Sequence, residues 1–187
     1  MNDLKGVKIA ALMTEGFEQV EFTKPKQALE DAGATVHLIS PKAGQIKAWN
    51  DTDWGDSFSV DLTLDAAKPD EYDALLLPGG VINPDKLRTV DKAVDFIQSF
   101  FDDQKPVAAI CHAPILLIEA DVVQGKQLTS YPSIQTDLRN AGANWIDQQV
   151  VTDGNLVTSR KPDDITAFNK AFIELITTSA SADAQAA

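Results

Sequence analysis

The chain has 187 residues, of which 44% are hydrophobic, and this suits one compact domain with a substantial core. Asp and Glu number 28 against 16 Lys and Arg, so the formal net charge is −12, which disfavours nucleic acid as a partner because a polyanion would be repelled. The lone cysteine excludes an internal disulfide and a Cys-rich zinc site, and a free thiol suits a reducing compartment.

No stretch of the sequence approaches the roughly 20 apolar residues that a membrane helix needs. The start, MNDLKGVKIAALM, has a short apolar run without the cleavage pattern of a signal peptide. We therefore expect a cytoplasmic protein that does not bind membranes.

The first third of the chain predicts a strand, a helix and a second strand. Short apolar runs at 7–13 and 35–40 favour strands, and the helix formers of 18–32 end at Gly33, a favourable helix stop. Residues 46–64 then mix aromatic and branched side chains with Gly and Asp at a short period. This pattern predicts small strands or a hairpin that covers one edge of a sheet.

The middle of the chain alternates between buried strands and helices. Residues 73–80 form a continuous apolar run stopped by Pro-Gly-Gly, which is typical of a parallel strand buried on both faces. From Val90 apolar residues recur at helical spacing as far as Phe101. Residues 106–110 predict the next buried strand, and 113–120 a helix that follows it directly.

The last part predicts a short helix over 134–141, a hairpin over 150–158 and a final helix whose apolar face covers 165–176. Strands that alternate with helices indicate an α/β fold, a three-layer sandwich with a mainly parallel, flavodoxin-like central sheet. We expect residues 1–178 to form a single domain and residues 179–187, which are small and polar, to be a disordered tail.

Cys111 is the principal candidate for chemistry. The strand ends in Ile-Cys-His-Ala-Pro and enters a helix at once, with Pro114 in the first helical turn. Such a turn presents a nucleophile over exposed backbone N–H groups at the positive end of the helix dipole, and both features favour thiolate. We therefore expect a Cys111 pKa below the ordinary value of about 8.5. The alternative is a buried structural thiol.

Several neighbours could assist Cys111. Gly79 and Gly80 end an adjacent strand and would let a backbone donor approach an oxyanion closely. His112 follows the cysteine directly, so the two side chains are expected to diverge, which leaves His112 free to reach a separate carboxylate. Glu18 and Glu21 share one helix face at the same sheet edge, although acids at a helix start also simply complement its dipole.

Taken together, these residues resemble the PfpI family of intracellular cysteine proteases and protein deglycases, within the superfamily that is similar to class I glutamine amidotransferases. The resemblance covers nearly the whole chain. It is carried by five ordered segments: EQVEFTKP at 18–25, YDALLLPGG at 72–80, KPVAAICH at 105–112, TSYP at 129–132 and LVTSR at 156–160.

The resemblance implies that Cys111 is the nucleophile and that Glu21 holds a protonated carboxyl against the sulfur. Glu18 would line the same pocket, and Tyr131 matches a pocket tyrosine of the family. Ala113 stands where glycine is usual after the Cys-His pair, so its methyl group is expected to narrow the pocket.

The resemblance also implies an acid from a neighbouring subunit that orients His112. Asp85 matches that position, although the family more often has Glu after a loop of slightly different length. An acid supplied across an interface requires at least a homodimer, and a higher homo-oligomer would also serve.

The function predicted from these observations is a cysteine-dependent, stress-protective hydrolase of the glyoxalase or deglycase type. Its substrates would be small reactive carbonyls or their glycated adducts, and it would need neither metal nor organic cofactor. Peptide hydrolysis fits the same nucleophile and ranks second. The alternative from another class is a non-enzymatic stress protein, either a redox sensor with an oxidisable Cys111 or a chaperone.

Overall fold

A computed structural model of the protein describes residues 4–186, with side chains of the last helix as far as Ser181. The helices are α1 (Gln19–Asp31), α2 (Ile82–Leu87), α3 (Asp91–Asp102), α4 (Pro114–Glu119), α5 (Gln135–Asn140) and α6 (Ile165–Ala186). The strands are β1 (Lys8–Leu12), β2 (Thr35–Ser40), β3 (Gln45–Asn50), β4 (Asp53–Ser59), β5 (Leu62–Thr63), β6 (Ala74–Leu77), β7 (Val107–Ile110), β8 (Gln127–Leu128), β9 (Asn144–Trp145), β10 (Val150–Asp153) and β11 (Leu156–Ser159).

Seven strands form the central sheet in the order β10-β11-β7-β6-β1-β2-β5. Neighbouring strands are parallel except for the β10–β11 hairpin at one edge. Within this order β2-β1-β6-β7-β11 is the flavodoxin-like arrangement, so the predicted fold class is confirmed. The direction of crossover reverses between β1 and β6, and in such sheets a crevice opens there at the carboxyl ends of the strands.

The sheet is buried on both faces, which explains the continuous apolar runs of β6 and β7. Successive side chains of a strand point to opposite faces. Leu75 and Leu77 accordingly belong to the core beneath α3 and α4. Leu76 belongs to the second core, beneath α1 and α6. These two cores and the sheet between them make the three layers.

The region at 46–64 differs in part from its prediction. β3 and β4 do form an antiparallel hairpin, but β5 is the element that extends the sheet edge, beside β2. The hairpin instead packs against α1, because Phe58 meets Phe17 and Phe22 edge to face with ring centroids 5.4 and 5.7 Å apart. Its β3 strand is thereby carried to the carboxyl end of β1, where Trp49 N–H donates to Phe17 O at 2.7 Å.

The tail expected to be disordered over 179–187 is instead helical as far as Ala186, and residue 187 lies outside the described residues. Alanine has the highest helix propensity, and the alanines in this segment allow α6 to continue after its apolar face ends. Ser181 Oγ donates to Thr177 O at 2.9 Å within this extension. Among residues 4–186, no helix is both long and apolar enough to cross a membrane.

Candidate active site

Cys111 lies on a strained turn between β7 and α4. Its φ of 65° is in the left-handed region, which is uncommon for a residue with a side chain. Two hydrogen bonds hold the turn: Cys111 N–H donates to Ser159 O at 3.0 Å, and Tyr131 N–H donates to Cys111 O at 2.8 Å. The end of β11 and the loop before α5 therefore fix the backbone that presents the thiol.

His112 lies against the thiol, contrary to the expected divergence of the two side chains. Its Nδ1 is 3.2 Å from Cys111 Sγ. The positive φ at Cys111 reverses the chain direction, so the usual alternation of neighbouring strand side chains does not apply at this turn. The imidazole is held from its other side, because Nε2 is 3.0 Å from Ser133 Oγ and the ring stacks on Tyr131 at a centroid distance of 4.7 Å. Burial lowers the pKa of His112, which favours the neutral ring.

Glu21, in the first turn of α1, is fully buried below the thiol. Its Oε2 accepts a hydrogen bond from Gly79 N–H at 2.9 Å, and the carboxyl also lies within hydrogen-bonding reach of the Cys111 thiol and of Gly80 N–H. Burial raises the pKa of Glu21 to about 8, and the charge of Glu18 adds to this rise. At neutral pH the carboxyl is therefore mainly protonated and can donate a hydrogen bond.

The pKa of Cys111 shifts in the direction opposite to our expectation. Burial raises it, and a charged Glu21 raises it further, whereas the backbone N–H groups of Gly80 and His112 lower it. The expectation relied on the dipole of α4, but that helix has six residues and begins with Pro114, which has no N–H to offer. A protonated Glu21 carries no repulsive charge and can donate a hydrogen bond to the sulfur, so protonation of this carboxyl favours the thiolate relative to the fully ionised pair.

Two glycines after β6 allow the backbone to approach the reacting groups. A Cβ at Gly79 would lie 2.7 Å from Cys111 Cβ and 2.7 Å from Glu21 Oε2. Gly80 has a φ of 78°, and a Cβ there would lie 2.5 Å from Gly16 O. Any side chain at either position would push apart the loops that follow β1, β6 and β7.

Asn83 fixes this glycine turn, and sequence reasoning did not single it out. Its side chain is fully buried in α2. Nδ2 donates to Pro78 O at 2.9 Å and to Gly79 O at 3.1 Å, while Oδ1 accepts from Thr14 N–H at 2.8 Å. The amide thus joins the loop after β6 to the loop after β1. The signal in the sequence was an asparagine three residues beyond the two glycines.

The thiol opens into a pocket of about 690 Å³, which contains several residues that we did not predict. Its lining comprises Gly16, Glu18, Val20, Glu21, Trp49, Asn50, Asp51, Gly80, Val81, Ile82, Cys111, His112, Tyr131 and Pro162. The predicted residues Glu18, Glu21, Gly80, His112 and Tyr131 are therefore brought together around Cys111. The hairpin residues could not be assigned to the site from the sequence, because only the packing of β3 against α1 places them there.

Three of the predicted site residues do not line the pocket. Ala113 is fully buried in the core beneath α3 and α4, so its methyl group does not narrow the pocket. Gly79 contributes through its hydrogen bond to Glu21 rather than through pocket surface. Asp85 is exposed on α2, outside the pocket lining, and its role across a subunit interface remains a prediction.

Glu18 is partly buried and its Oε1 accepts from Asp51 N–H at 3.3 Å. Burial raises the pKa of Glu18 above its ordinary value. Among residues 4–186, no three His, Cys, Asp or Glu side chains gather in a group that could hold a metal ion. The arrangement provides a thiol, a carboxyl that retains its proton, a neutral imidazole and two backbone donors, which together can form and protonate a covalent adduct of a carbonyl.

The fold and the site define an α/β protein with a cysteine on a strand-to-helix turn above a buried glutamate. The DJ-1/PfpI family matches residues 7–175, and this chain belongs to that family.

Two relatives and one solved structure illustrate the match. Protein/nucleic acid deglycase 2 of Escherichia coli K12 is 46% identical over 170 residues, covering 90% of this chain and 97% of that protein. General stress protein 18 of Bacillus subtilis 168 is 43% identical over 173 residues, covering 91% of this chain and 98% of that protein. A crystal structure from Anabaena variabilis, of a two-domain protein with DJ-1/ThiJ/PfpI-like and ferritin-like domains, has a TM-score of 0.84 at 38% identity. The match covers 90% of this chain and 47% of that one, so the chain spans about half of the two-domain protein.

Proposed function

We propose that the protein is a stress-protective enzyme that uses Cys111 to act on reactive carbonyls or their adducts, as a glyoxalase or deglycase. The observation that supports this proposal most directly is the contact of Cys111 Sγ with His112 Nδ1 at 3.2 Å, in a pocket whose base is the buried Glu21. The names of the E. coli and B. subtilis relatives, a deglycase and a general stress protein, support this proposal.

With methylglyoxal as substrate, the thiolate sulfur adds to the aldehyde carbon, and the carbonyl electrons move to the oxygen. Backbone N–H groups of Gly80 and His112, which already lie against the sulfur, are placed to stabilise that oxyanion. The proton on Glu21 then neutralises it and gives a hemithioacetal.

Product formation requires a proton to move within the adduct. His112, kept neutral by its lowered pKa, takes the proton from the first carbon to give an enediol and returns it to the second carbon. The hydroxyl proton of the first carbon passes to the oxygen of the second, and the product is a thioester of lactate. Water then cleaves the carbon–sulfur bond of the thioester, releasing D-lactate and restoring the thiol. On a hemiaminal adduct of an amine, the thiolate displaces the nitrogen at the same carbon, and the proton on Glu21 passes to the leaving nitrogen, which gives the hemithioacetal and the free amine.

Carbonyl chemistry fits the site better than peptide hydrolysis does. Within the chain, His112 has the hydroxyl of Ser133 as its partner rather than the carboxylate of a hydrolytic triad. A carboxylate from Asp85 of a second copy would change this, and a homodimer or higher oligomer in the cytoplasm remains part of the proposal. Nucleic acid stays disfavoured as a substrate by the net charge of −12, although the name of the E. coli relative includes it.

The test is D-lactate formation from methylglyoxal by the wild type and by Cys111→Ala. We expect the variant to lose at least about 1,000-fold in turnover, because the covalent step is removed. His37→Ala, which changes the histidine outside the pocket, is the control for unspecific damage. Turnover that is absent from the wild type, or equal in Cys111→Ala, would reject the proposed enzyme activity on this substrate.

A further inference from the structure

Arg160 is the last residue of the LVTSR segment and takes no part in the proposed chemistry, yet its guanidinium binds two carboxylates. Nε and Nη2 donate to the two oxygens of Asp164 at 2.9 and 3.2 Å, and Nη1 donates to Asp147 Oδ1 at 2.7 Å. The side chain of Asp164 is 4% exposed, whereas that of Asp147 is 64% exposed. A guanidinium is a rigid planar fork of donors, so it can hold two carboxylates in fixed directions, which a lysine ammonium cannot do.

The elements that Arg160 joins meet at the end of β11. Arg160 directly follows this strand, Asp164 ends the turn that leads into α6, and Asp147 lies in the loop before β10. A second bond attaches the same loop to the strand, because Ser159 Oγ donates to Gln149 O at 2.7 Å. The fully buried backbone of Ser159 is therefore held from two sides.

The carbonyl of Ser159 connects this junction to the thiol. It accepts a hydrogen bond from Cys111 N–H at 3.0 Å, which continues the parallel pairing of β11 with β7. Ser159 and Ile110 form the last residue pair of that pairing. Arg160 is the next residue along the chain, so its side chain fixes β11 at the point where the strand pairing ends.

The backbone of Cys111 needs such support, because a φ of 65° is costly for a residue with a side chain. A conformation of this kind persists only where the surrounding structure holds it. The same conformation brings Cys111 Sγ to 3.2 Å from His112 Nδ1. A displacement of Ser159 O would therefore move the sulfur relative to the imidazole and to Glu21.

We propose that Arg160 is a positioning residue of the active site. By fixing the end of β11, it holds the Ser159 carbonyl at the place from which that carbonyl keeps Cys111 left-handed and the thiol against His112. The effect of Arg160 on the thiol rests on the structure alone, whereas its consequence for carbonyl turnover rests on the proposed function.

The single cysteine allows the position of the thiol to be tested without any turnover. The probe is iodoacetamide, from which the Cys111 thiolate displaces iodide, and the rate constant of alkylation is measured as a function of pH. The principal variant is Arg160→Lys. Lysine keeps a positive charge beside the buried Asp164 but cannot bind both carboxylates, so it releases the end of β11 with little damage to the fold.

We expect the alkylation pKa of Arg160→Lys to lie closer to the ordinary thiol value of about 8.5 than that of the wild type does, because the sulfur leaves the buried surroundings that perturb it. With methylglyoxal, kcat should fall about ten-fold and KM should change by less than about two-fold, since the reacting groups are displaced. Ser159→Ala, which removes the bond to Gln149 O, and Asp147→Asn should each shift the alkylation pKa in the same direction by a smaller amount.

Arg88→Lys is the matched control. Arg88 donates through Nε and Nη2 to Glu119 Oε2 at 3.2 and 2.9 Å, and neither residue lines the pocket. Its side chain is 30% exposed, against 24% for Arg160. Arg88→Lys should leave the alkylation pKa and kcat as they are in the wild type. Urea unfolding of every variant separates a general loss of stability from a local effect on the thiol.

An alkylation pKa in folded Arg160→Lys equal to that of the wild type would overturn the proposal, whatever the stability of the variant. If Arg160→Lys does not fold, Asp147→Asn and Ser159→Ala decide, because both leave the buried pair of Arg160 with Asp164 intact. An unchanged alkylation pKa in these two variants would then reject the proposal. A wild type that does not turn over methylglyoxal would reject the proposed function, while the alkylation pKa values would still decide the role of Arg160.

Discussion

The base and the mouth of the pocket are built in opposite ways. At the base, Glu21 and Asn83 are both 0% exposed, and Cys111 sits on a turn held from two sides. At the mouth, Val81 is 64% and Tyr131 40% exposed. Burial determines the protonation states of the groups at the base, because removal from water disfavours their charged forms. Charges at the mouth interact through solvent and are screened by salt. The groups proposed to react are therefore held at the buried base, whereas the mouth is open to solvent.

The largest effect should come from Glu21, whose pKa is raised from 4.5 to about 8. Below pH 4.5 the carboxyl is protonated in the folded and the unfolded chain, so its burial costs little. As the pH rises towards 8, Glu21 ionises in the unfolded chain before it ionises in the folded protein. The free energy of unfolding therefore falls by roughly 1.4 kcal/mol per pH unit, up to a total of about 5 kcal/mol.

Because the side chain of Glu21→Gln cannot ionise, the free energy of unfolding of this variant should increase relative to that of the wild type between pH 4.5 and 8. Urea unfolding of both proteins across this range measures the difference. Glu30→Gln, at an exposed position of the same helix, is the control. A difference between Glu21→Gln and the wild type that is constant with pH would contradict the raised pKa.

The next largest effect is expected for Asn83, which joins two loops at the base. Asn83→Ala removes three hydrogen bonds and leaves Thr14 N–H and Pro78 O without these partners, whereas Gly79 O keeps the long hydrogen bond from Glu18 N–H at 3.4 Å. We expect a loss of about 3 kcal/mol in the free energy of unfolding, together with a fall in kcat, because the glycine turn is released.

Asn155→Ala is the comparison for Asn83→Ala. Asn155 is also buried, but it lies at the opposite edge of the sheet and donates a single hydrogen bond, to Lys105 O. Asn155→Ala should lower the free energy of unfolding by about 1 kcal/mol and leave kcat unchanged. Equal kcat in wild type and Asn83→Ala would show that Asn83 stabilises the fold without positioning the glycine turn.

The smallest effect is expected at the mouth, where Ser133 holds His112. Ser133→Ala removes one exposed hydrogen bond and should lower kcat/KM by no more than about five-fold. Asp85→Asn tests the competing partner of His112. If the Asp85 carboxylate reaches His112 across an interface, this substitution should lower kcat/KM by about ten-fold or more. Asp85→Asn with full activity would remove Asp85 from the site and leave the hydroxyl as the partner of the imidazole.

The sequence predicted the sheet well, because strands buried on both faces carry uninterrupted apolar runs such as those of β6 and β7. The hairpin at 46–64 was predicted, but its position was not, because it depends on Phe58 packing with Phe17 and Phe22 across a long separation in sequence. At the C-terminus α6 continues as far as Ala186, because the alanines of the segment expected to be disordered have a high helix propensity.

Within the site, position along the chain predicted the turn at Cys111, and the family resemblance supplied Glu21. The direction of the Cys111 pKa shift was wrong, since burial is a property of the packed structure and no local pattern reports it. The contact with His112 was missed for a similar reason: it depends on a positive φ that a non-glycine residue rarely adopts. Asn83 was missed because it acts through hydrogen bonds to two loops that only the fold brings together.

The hydrogen bond from Cys111 N–H to Ser159 O ties the reactive turn to β11, which has the β10–β11 hairpin as the sheet edge beyond it. When this hydrogen bond is lost, Cys111 is free to leave its positive φ for a more favourable backbone conformation. Elements at the edge of a structure are among the first parts of a protein to open. Heating should consequently abolish activity by unfolding this edge locally. The loss should occur at temperatures where the remainder of the sheet is still folded.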